Sequence, residues 1–255
     1  MRTKNRTTRR LRVESLEARQ LMAGDVTASF NNGTLSIRGT EGNDNVTVLF
    51  DQRAQTTRVL VGTREIVPRI SSPVSNVDVR LGGGTDKFVL GSMNLNRLSI
   101  DMGTGNSSNR LRENVFLPNV TVRDLNVSGT SVNGVNVVVS GGSVSNEVTA
   151  TFGSGNDSLN FQSGAVVDKL FARFGAGDDM LSVSGGSGPT HGRHFYNQVN
   201  RADVNMGTGR DQLSVATNSN ILAGSVDGGG DATDRADIGH RNQMASLRFK
   251  TIVRR

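Results

Sequence analysis

Apolar and polar residues alternate along most of the chain, in short runs on both sides of glycine-rich turns. Val77, Val79 and Leu81 precede one such turn, and Leu159 and Phe161 follow another. An alternation with a period of two predicts β-strands that bury one face. The other alternating runs are Leu35 and Ile37; Val46 and Val48; Phe88 and Leu90; Leu98, Ile100 and Met102; Val148, Ala150 and Phe152; Leu170, Ala172 and Phe174; Leu181 and Val183; Ala202, Val204 and Met206; and Leu213 and Val215. The pattern predicts a repeated succession of strand, bend and strand.

The glycine-rich turns recur at a nearly constant interval. They start at residues 39, 81, 102, 152, 174, 206 and 226. Most intervals are one unit of about 21 residues, and the intervals of 42 and 50 residues fit two units. The interval of 32 residues contains GSGPTHGRHFYN, which predicts an insertion at about 185–198. A fixed period of this size is typical of a solenoid.

The period predicts an all-β fold, a parallel β-helix or solenoid with coils of about 21 residues. Each coil would pair with the coils above and below, with apolar columns inside and the glycine turns stacked along one edge. An antiparallel β-sandwich is the alternative, because its strands alternate in the same way. The predicted domains are a basic export or sorting segment at 1–25, a solenoid at 26–240 and a basic tail or cap at 241–255.

Positive charge is concentrated at the two ends of the chain. The 255 residues carry a net charge of +6, of which residues 1–22 contribute +5 and residues 247–255 contribute +4, so the body carries −3. A nucleic-acid partner would require a basic stripe on the folded body, and we therefore expect none. The chain has no cysteine, which excludes a disulfide framework and a thiolate metal site. It also has no apolar run of about 18 residues, so we expect no transmembrane segment.

The turns share a second regularity, an aspartate two residues after a glycine. FGSGNDSLN, FGAGDDMLS, MGTGRDQLS and LGGGTDKFV contain the spacing G-x-G-x-D, and GTEGNDNVT is close to it. Glycine permits positive φ, so successive carbonyls can face one point, and the aspartate adds a carboxylate. Ca²⁺ takes about six to eight oxygen ligands of these two kinds. The predicted calcium ligands are Gly42, Asp44, Gly84, Asp86, Gly153, Gly155, Asp157, Gly175, Gly177, Asp179, Gly207, Gly209 and Asp211.

These turns resemble the RTX, or haemolysin-type, calcium-binding repeats of secreted bacterial proteins. An apolar residue also follows two positions after each aspartate, and the resemblance covers about residues 39–238. It implies that each ion lies between the turns of neighbouring coils. Carried over to this sequence, it pairs Asp157 with Asp179 and Asp211 with Asp231.

The chain departs from that family in two respects. The family places a turn about every nine residues and forms a flat two-sided roll, whereas here one such turn occurs in about 21 residues. This spacing implies a wider coil with sites along one edge at most. Several copies also lack the acid: MGTGNSSNR has Ser107 where aspartate is expected, and LVGTREIV and VSGTSVNG keep only the turn. The alternative is that Gly, Asn and Asp recur because they form β-turns.

The N-terminal segment carries a separate resemblance. RRLRVESLEARQLMAGDV is similar to the LEPR-XLL motif found near the start of exported and surface proteins of bacteria. Leu16, Glu17, Arg19 and Leu21 match, whereas Ala18 replaces the usual proline and Met22 the usual second leucine. The resemblance implies export, although the segment lacks the apolar core of a conventional secretory signal. We expect an extracellular or cell-surface location.

No catalytic constellation is recognisable, and we expect no catalytic residue. His191 and His194 lie in the insertion with no glutamate after them, and the remaining histidine is His240. The sequence therefore favours an exported, non-enzymatic, calcium-binding protein with a structural or adhesive role. Its partners would be calcium ions and extracellular matrix, polysaccharide or surface proteins. The alternatives are a polysaccharide-active β-helix enzyme, for which Lys87, Lys169 and Arg173 are candidates by type, and a purely structural solenoid with vestigial turns.

Overall fold

In the computed structural model, the chain is described over residues 25–105, 111–185, 197–239, 242 and 244–254. These residues form two long sheets, here called sheet A and sheet B, and no helix that is long and apolar enough to cross a membrane. Sheet A consists, in order, of β1 (Thr27–Asn31), β2 (Thr34–Arg38), β6 (Asn76–Arg80), β8 (Asn94–Asp101), β10 (Thr121–Gly129), β12 (Ser143–Phe152), β14 (Val166–Arg173), β16 (Gln198–Asn205), β18 (Asn220–Asp227) and β20 (Met244–Arg248). Sheet B consists, in order, of β21 (Thr251–Arg254), β19 (Arg235–Ile238), β17 (Gln212–Val215), β15 (Met180–Ser184), β13 (Ser158–Gln162), β11 (Val135–Ser140), β9 (Glu113–Pro118), β7 (Lys87–Leu90), β3 (Asn45–Asp51), β4 (Thr56–Val61) and β5 (Arg64–Glu65).

The chain winds as a parallel solenoid with one strand of each sheet in every coil. From β6 onward the strands alternate between the sheets, and each pairs in parallel with the strand of the same sheet one coil away. The predicted β-solenoid is confirmed. The antiparallel β-sandwich is excluded for the described residues, since the antiparallel strand pairs there are β1–β2, β3–β4 and β4–β5, with one isolated antiparallel bridge between Thr57 and Ile70.

Coil length follows from the register of the parallel pairs. Leu159 pairs with Leu181, 22 residues later, close to the expected period. The 42-residue interval at the N-terminal end is a single coil and not two, because Leu35 pairs directly with Val77. The extra residues of that coil form β4 and β5. The 32-residue interval arises between β15 and β16, and residues 186–196 of this connection lie outside the described residues.

Hairpins cover the first coil of the solenoid. β1 folds back on β2 through Asn32 and Gly33, which both have positive φ (47° and 75°), as a two-residue hairpin turn requires. On the other sheet, β4 and β5 fold back on β3. An antiparallel strand at each sheet edge ends the parallel stack. At the other end, β20 and β21 extend both sheets within the predicted C-terminal tail or cap.

The core lies between the two sheets. All of the alternating apolar residues named above are buried there, Phe88, Phe161 and Phe174 completely. Parallel register stacks equivalent side chains of successive coils in columns, and Phe152 and Phe174 meet at a ring distance of 5.4 Å. Because alternate residues point to opposite faces of a strand, the polar residues between them lie on the outer faces of both sheets.

Candidate functional site

A row of acidic side chains follows the edge at which each coil turns from sheet A to sheet B. Each acid comes directly before a strand of sheet B or, in the case of Glu113, is its first residue, and the strand register places the acids of successive coils beside one another. We call these residues the acid row: Asp44, Asp86, Glu113, Asp157, Asp179, Asp211 and Asp234. The row has one gap, between Glu113 and Asp157, where the residue in register is Val135. All seven acids are buried, six of them with an exposed fraction of 1% or less.

One carboxylate oxygen of most acids in the row links two coils. The Oδ1 atom accepts a hydrogen bond from the backbone N–H in the preceding coil. The N···Oδ1 distances are 2.7 Å from Asp157 to Asp179, 3.0 Å from Asp179 to Asp211 and 3.2 Å from Asp211 to Asp234. The same bond joins Asp44 to Asp86 and Val135 to Asp157. Each carboxylate thus satisfies a buried donor that the turn would otherwise leave unpaired.

The second carboxylate oxygen of these acids has no hydrogen-bond partner. This holds, among the described residues, for the Oδ2 atoms of Asp86, Asp157, Asp179, Asp211 and Asp234, and for both carboxyl oxygens of Glu113. Asp44, at the N-terminal end of the row, differs because its Oδ2 accepts a bond of 2.7 Å from the N–H of Thr40. A buried polar atom without a partner costs free energy of about 1–3 kcal/mol. The acid edge therefore concentrates several such atoms along one line of the fold.

Burial makes the ionised form of these acids unfavourable. It raises the pKa of Asp86, Asp157 and Asp211 to about 7 and that of Asp179 to about 6. Burial, reinforced by the negative charge of Asp86, raises the pKa of Glu113 to about 8. Neighbouring acids add mutual repulsion, because adjacent strands are only about 4.8 Å apart. The acid row therefore needs either protons or a cation.

A second set of side chains joins the coils on the solvent side of the same turns. The residue before three of the acids accepts a hydrogen bond from the following coil, at 2.8 Å from the N–H of Thr85 to Asn43 and 2.9 Å from the N–H of Asp178 to Asn156. Asp178 in turn accepts from the N–H of Arg210 at 2.9 Å and forms an ion pair with its guanidinium at 2.8 Å. These outer side chains therefore join neighbouring coils on the solvent side, as the carboxylates of the acid row do in the interior.

The turn glycines are required by the close stacking of the coils. Gly177 and Gly209 have φ of 136° and 133°, and a Cβ on either would collide with the carbonyl oxygen of the preceding turn, Gly155 or Gly177. Gly42 differs, since a Cβ there would meet only the Thr40 Oγ1 atom at 3.5 Å. The remaining predicted glycines, Gly84, Gly153, Gly155, Gly175 and Gly207, also stack against a neighbouring coil. Stacking alone thus explains most of the glycine pattern.

The structure brings most of the predicted acids together, with two changes. Asp157 and Asp179 are neighbours, as are Asp44 and Asp86. The neighbour of Asp211 in the row is Asp234, whereas Asp231 lies outside it and accepts a bond of 2.7 Å from the N–H of Gly209. Ser107 lies outside the described residues, and Glu113 occupies the row position of its coil.

One sequence signal could have found both missed acids. In the complete copies an apolar residue follows two positions after the acid, because both side chains point to the interior. Asp234 is followed in this way by Ala236 and Glu113 by Val115, whereas Asp231 is followed by Thr233. Spacing from the preceding glycine was a poorer guide, since the turns before Glu113 and Asp234 are longer.

The acid row supplies some of the oxygen ligands that a hard cation requires. Their unpartnered oxygens are carboxylate donors, which Ca²⁺ prefers. Among the described residues, however, no three Asp, Glu or His side chains converge closely enough to hold a metal ion on their own. An ion between two coils would therefore take further ligands from backbone carbonyls and water.

The opposite edge, where each coil returns from sheet B to sheet A, contains neutral side chains. Asn197 is completely buried, and its Oδ1 accepts 2.8 Å bonds from the N–H groups of Gly164 and Ala165. Its Nδ2 donates to the carbonyl of Ser184. Asn242 has the same role one turn further on, accepting from Ser219 and donating to Val215 and Ala216. These amides satisfy neighbouring backbone groups and leave no unpartnered atom.

The candidates for catalysis by residue type do not form one cluster. Lys169 and Arg173 lie on the outer face of sheet A, whereas Lys87 belongs to β7 of sheet B. His191, His194 and His240 lie outside the described residues.

Comparison with known proteins identifies the N-terminal segment. Residues 7–26 match the model of a family described as Planctomycete extracellular. The match covers the residues similar to the LEPR-XLL motif, and it confirms that this is an exported protein with an extracellular or cell-surface location. No curated protein and no solved structure matches the chain.

Proposed function

We propose that this exported protein is a non-enzymatic structural or adhesive solenoid whose acid row binds calcium ions. The observation that carries the proposal is the line of buried carboxylate oxygens without a partner, from Asp86 to Asp234. Their Oδ1 atoms already bridge the coils, so the Oδ2 atoms have no architectural role. The resemblance of the turns to RTX repeats agrees with this proposal.

Calcium would supply positive charge between coils that otherwise repel one another. Asp157 and Asp179 are the best candidates to hold an ion, because they are consecutive in the row and each has a buried free oxygen. Asp179 with Asp211, and Asp211 with Asp234, are equivalent pairs. The Val135 gap interrupts the row. The chain would be weakly ordered at low calcium and would become fully stable outside the cell, where folding and ion binding are coupled.

The test is the stability of the full chain with and without calcium. Far-UV circular dichroism and thermal unfolding are recorded in EDTA and across a calcium titration, for the wild type and for Asp157→Ala with Asp179→Ala. We expect calcium to raise the melting temperature of the wild type and to raise that of the double variant less, because the pair Asp211 with Asp234 remains. A matched control, Asp78→Ala with Asp124→Ala, removes two acids from the outer face of sheet A and should keep the response. Identical wild-type melting curves in EDTA and calcium would contradict the proposal and favour a purely structural solenoid.

A polysaccharide-active enzyme is the second candidate, favoured by one observation. The outer face of sheet A brings Lys169, Arg173 and Asp203 onto the neighbouring strands β14 and β16, as a proton-abstracting site on acidic sugars would require. Chain cleavage of acidic polysaccharides, measured as a fall in viscosity, tests this candidate. A rate that Lys169→Ala does not lower would contradict it.

A further inference from the structure

The outer face of sheet A forms a groove parallel to the solenoid axis. Register places three outward rows side by side, and the middle row has mostly short side chains, among them Ser99, Asn126, Thr149 and Ser225. The flanking rows contain longer residues, such as Arg97, Glu147 and Arg173. The flanking rows also contain short residues, with Asp101, Ser128 and Thr151 between Arg80 and Arg173, so the groove, whose floor is the middle row, has walls only where the long side chains lie.

The groove widens into two cavities on the same face. One, of about 430 Å³, is lined by residues of β2, β6 and β8, including Asp78, Arg80 and Arg97. The other, of about 640 Å³, is lined by residues of β12, β14, β16 and β18, including Phe171, Arg173 and Asp203. About four strand spacings, roughly 19 Å, separate Arg80 on β6 from Arg173 on β14. A ligand that fills both cavities has to be an extended polymer.

The two cavities are lined by charges of both signs, three arginines and four acids. Three of these acids form ion pairs: Asp78 with Arg38 at 3.0 Å, Asp203 with Arg201 at 2.9 Å and Asp227 with Arg248 at 3.7 Å. Glu147 accepts a hydrogen bond of 3.0 Å from Thr149.

Three cations of the groove have no such partner. Arg80, Arg97 and Arg173 are exposed, and none of them has an ion pair or side-chain hydrogen bond among the described residues. The guanidinium groups of these three arginines can therefore bind carboxylates of a ligand in a bidentate geometry.

We propose that this groove binds a linear acidic polysaccharide along the solenoid axis. Arg80, Arg97 and Arg173 bind its uronic-acid carboxylates. Phe171, on the floor beside Arg173 and next to Asp203 in the register, offers an apolar ring face to a sugar ring. Serine, threonine and asparagine side chains of the floor bond to hydroxyl groups. The inference deepens the adhesive part of the proposed function and is independent of its calcium part.

The experiment measures binding of the full chain to polygalacturonate, with neutral dextran and single-stranded DNA as comparison polymers. Affinity is determined by calorimetry and affinity electrophoresis in EDTA and again in calcium, and circular dichroism of each sample confirms that the protein is folded. We expect binding to polygalacturonate and not to dextran. The triple variant Arg80→Gln, Arg97→Gln, Arg173→Gln should weaken it about tenfold or more, since each arginine loses a charge-assisted bond.

A matched triple variant controls for overall charge. Arg53→Gln, Arg64→Gln and Arg254→Gln remove the same charge from exposed positions away from the groove and should change affinity by less than about twofold. Phe171→Thr should weaken binding while leaving net charge unchanged.

Three results would overturn the inference: equal binding to dextran, DNA binding as tight as polygalacturonate binding, or equal losses in the groove and control variants. A folded wild-type protein that does not bind would overturn it as well, whatever its calcium response. An absent calcium response with intact binding would instead contradict only the calcium part of the proposed function.

Discussion

At both edges of the solenoid, side chains accept hydrogen bonds from backbone N–H groups of a neighbouring coil, but the side chains differ in their chemistry. At the return edge, Asn197 accepts hydrogen bonds from two N–H groups of the neighbouring coil, and its own NH₂ group donates a hydrogen bond to a carbonyl. At the acid edge, Asp179 accepts from one N–H and leaves a buried oxygen without a partner. Bridging two coils therefore does not require an acid. The difference agrees with our proposal that the acid row binds cations.

The largest expected effect comes from filling the space between two coils at the acid edge. Gly209→Val places a side chain against the carbonyl of Gly177 at a positive φ of 133°. We expect a loss of at least about 3 kcal/mol in the free energy of unfolding, or no folding at all. Gly42→Ala is the matched control, because a Cβ fits there, and it should cost less than about 1 kcal/mol. Urea unfolding compares the two; equal losses would show that stacking does not require glycine at 209.

The next effect comes from placing an acid at the neutral edge. Asn197→Asp keeps the oxygen that accepts from Gly164 and Ala165 but removes the donor to Ser184. The variant buries a charge and leaves an acceptor unpaired, and we expect it to lose about 2–3 kcal/mol at neutral pH. Calcium should not restore this stability, because, among the described residues, no second acid lies beside residue 197 at the return edge. Recovery in calcium would show that any buried acid of this fold can bind an ion.

A smaller effect is the pH dependence of the calcium-free protein. The pKa of Asp157 is raised to about 7 in the folded state, against about 3.9 in an unfolded chain. Between these values the folded state holds a proton that the unfolded state has lost. Stability is therefore greatest at low pH in this range and falls as the pH rises through 7, by up to about 1.4 kcal/mol per pH unit for each such acid.

Thermal unfolding between about pH 5 and pH 8 checks this sign. In EDTA the melting temperature should decrease with pH, and in calcium it should stay nearly constant because the ion replaces the proton. Asp157→Asn with Asp179→Asn should reduce the decrease. A melting temperature that rises with pH in EDTA would show that the acids are ionised and stabilised without any ion.

The smallest effect is expected on the solvent side of the acid edge. Arg210→Gln removes the exposed ion pair with Asp178 but keeps the bond from the backbone N–H to Asp178. Exposed ion pairs contribute little to stability, so the melting temperature should change only marginally, with or without calcium. A large loss would show that the outer side chains, and not the buried row, hold this edge together.

The sequence predicts the strands and most of the row, because both depend on local alternation. Every apolar residue assigned to the interior from its period of two is buried. The position of Glu113 depends instead on the pairing of β9 with β7 and β11, which is decided by register across coils. The same is true of Asp234, which lies three positions after the predicted Asp231 in a longer turn.

The hairpin of the first coil and the outer faces could not be predicted from the repeat pattern. A 42-residue interval fits two coils as well as one coil with a hairpin, and only the pairing of Leu35 with Val77 distinguishes them. Likewise, Arg80, Arg97 and Arg173 are far apart in the chain. They face one groove because parallel register places them on one side of sheet A.

The most direct test of the central claim is proton release when calcium binds. Calcium is titrated calorimetrically into the full chain at about pH 6.5, near the raised pKa values of the acid row, in two buffers with different ionisation enthalpies. If ions bind to the free oxygens, they displace protons, and the measured heat will depend on the buffer. The dependence should be weaker in Asp157→Asn with Asp179→Asn, which keeps the equivalent pair Asp211 with Asp234. A heat of zero, or binding that releases no protons and is unchanged in the double variant, would contradict the assignment of the acid row to calcium.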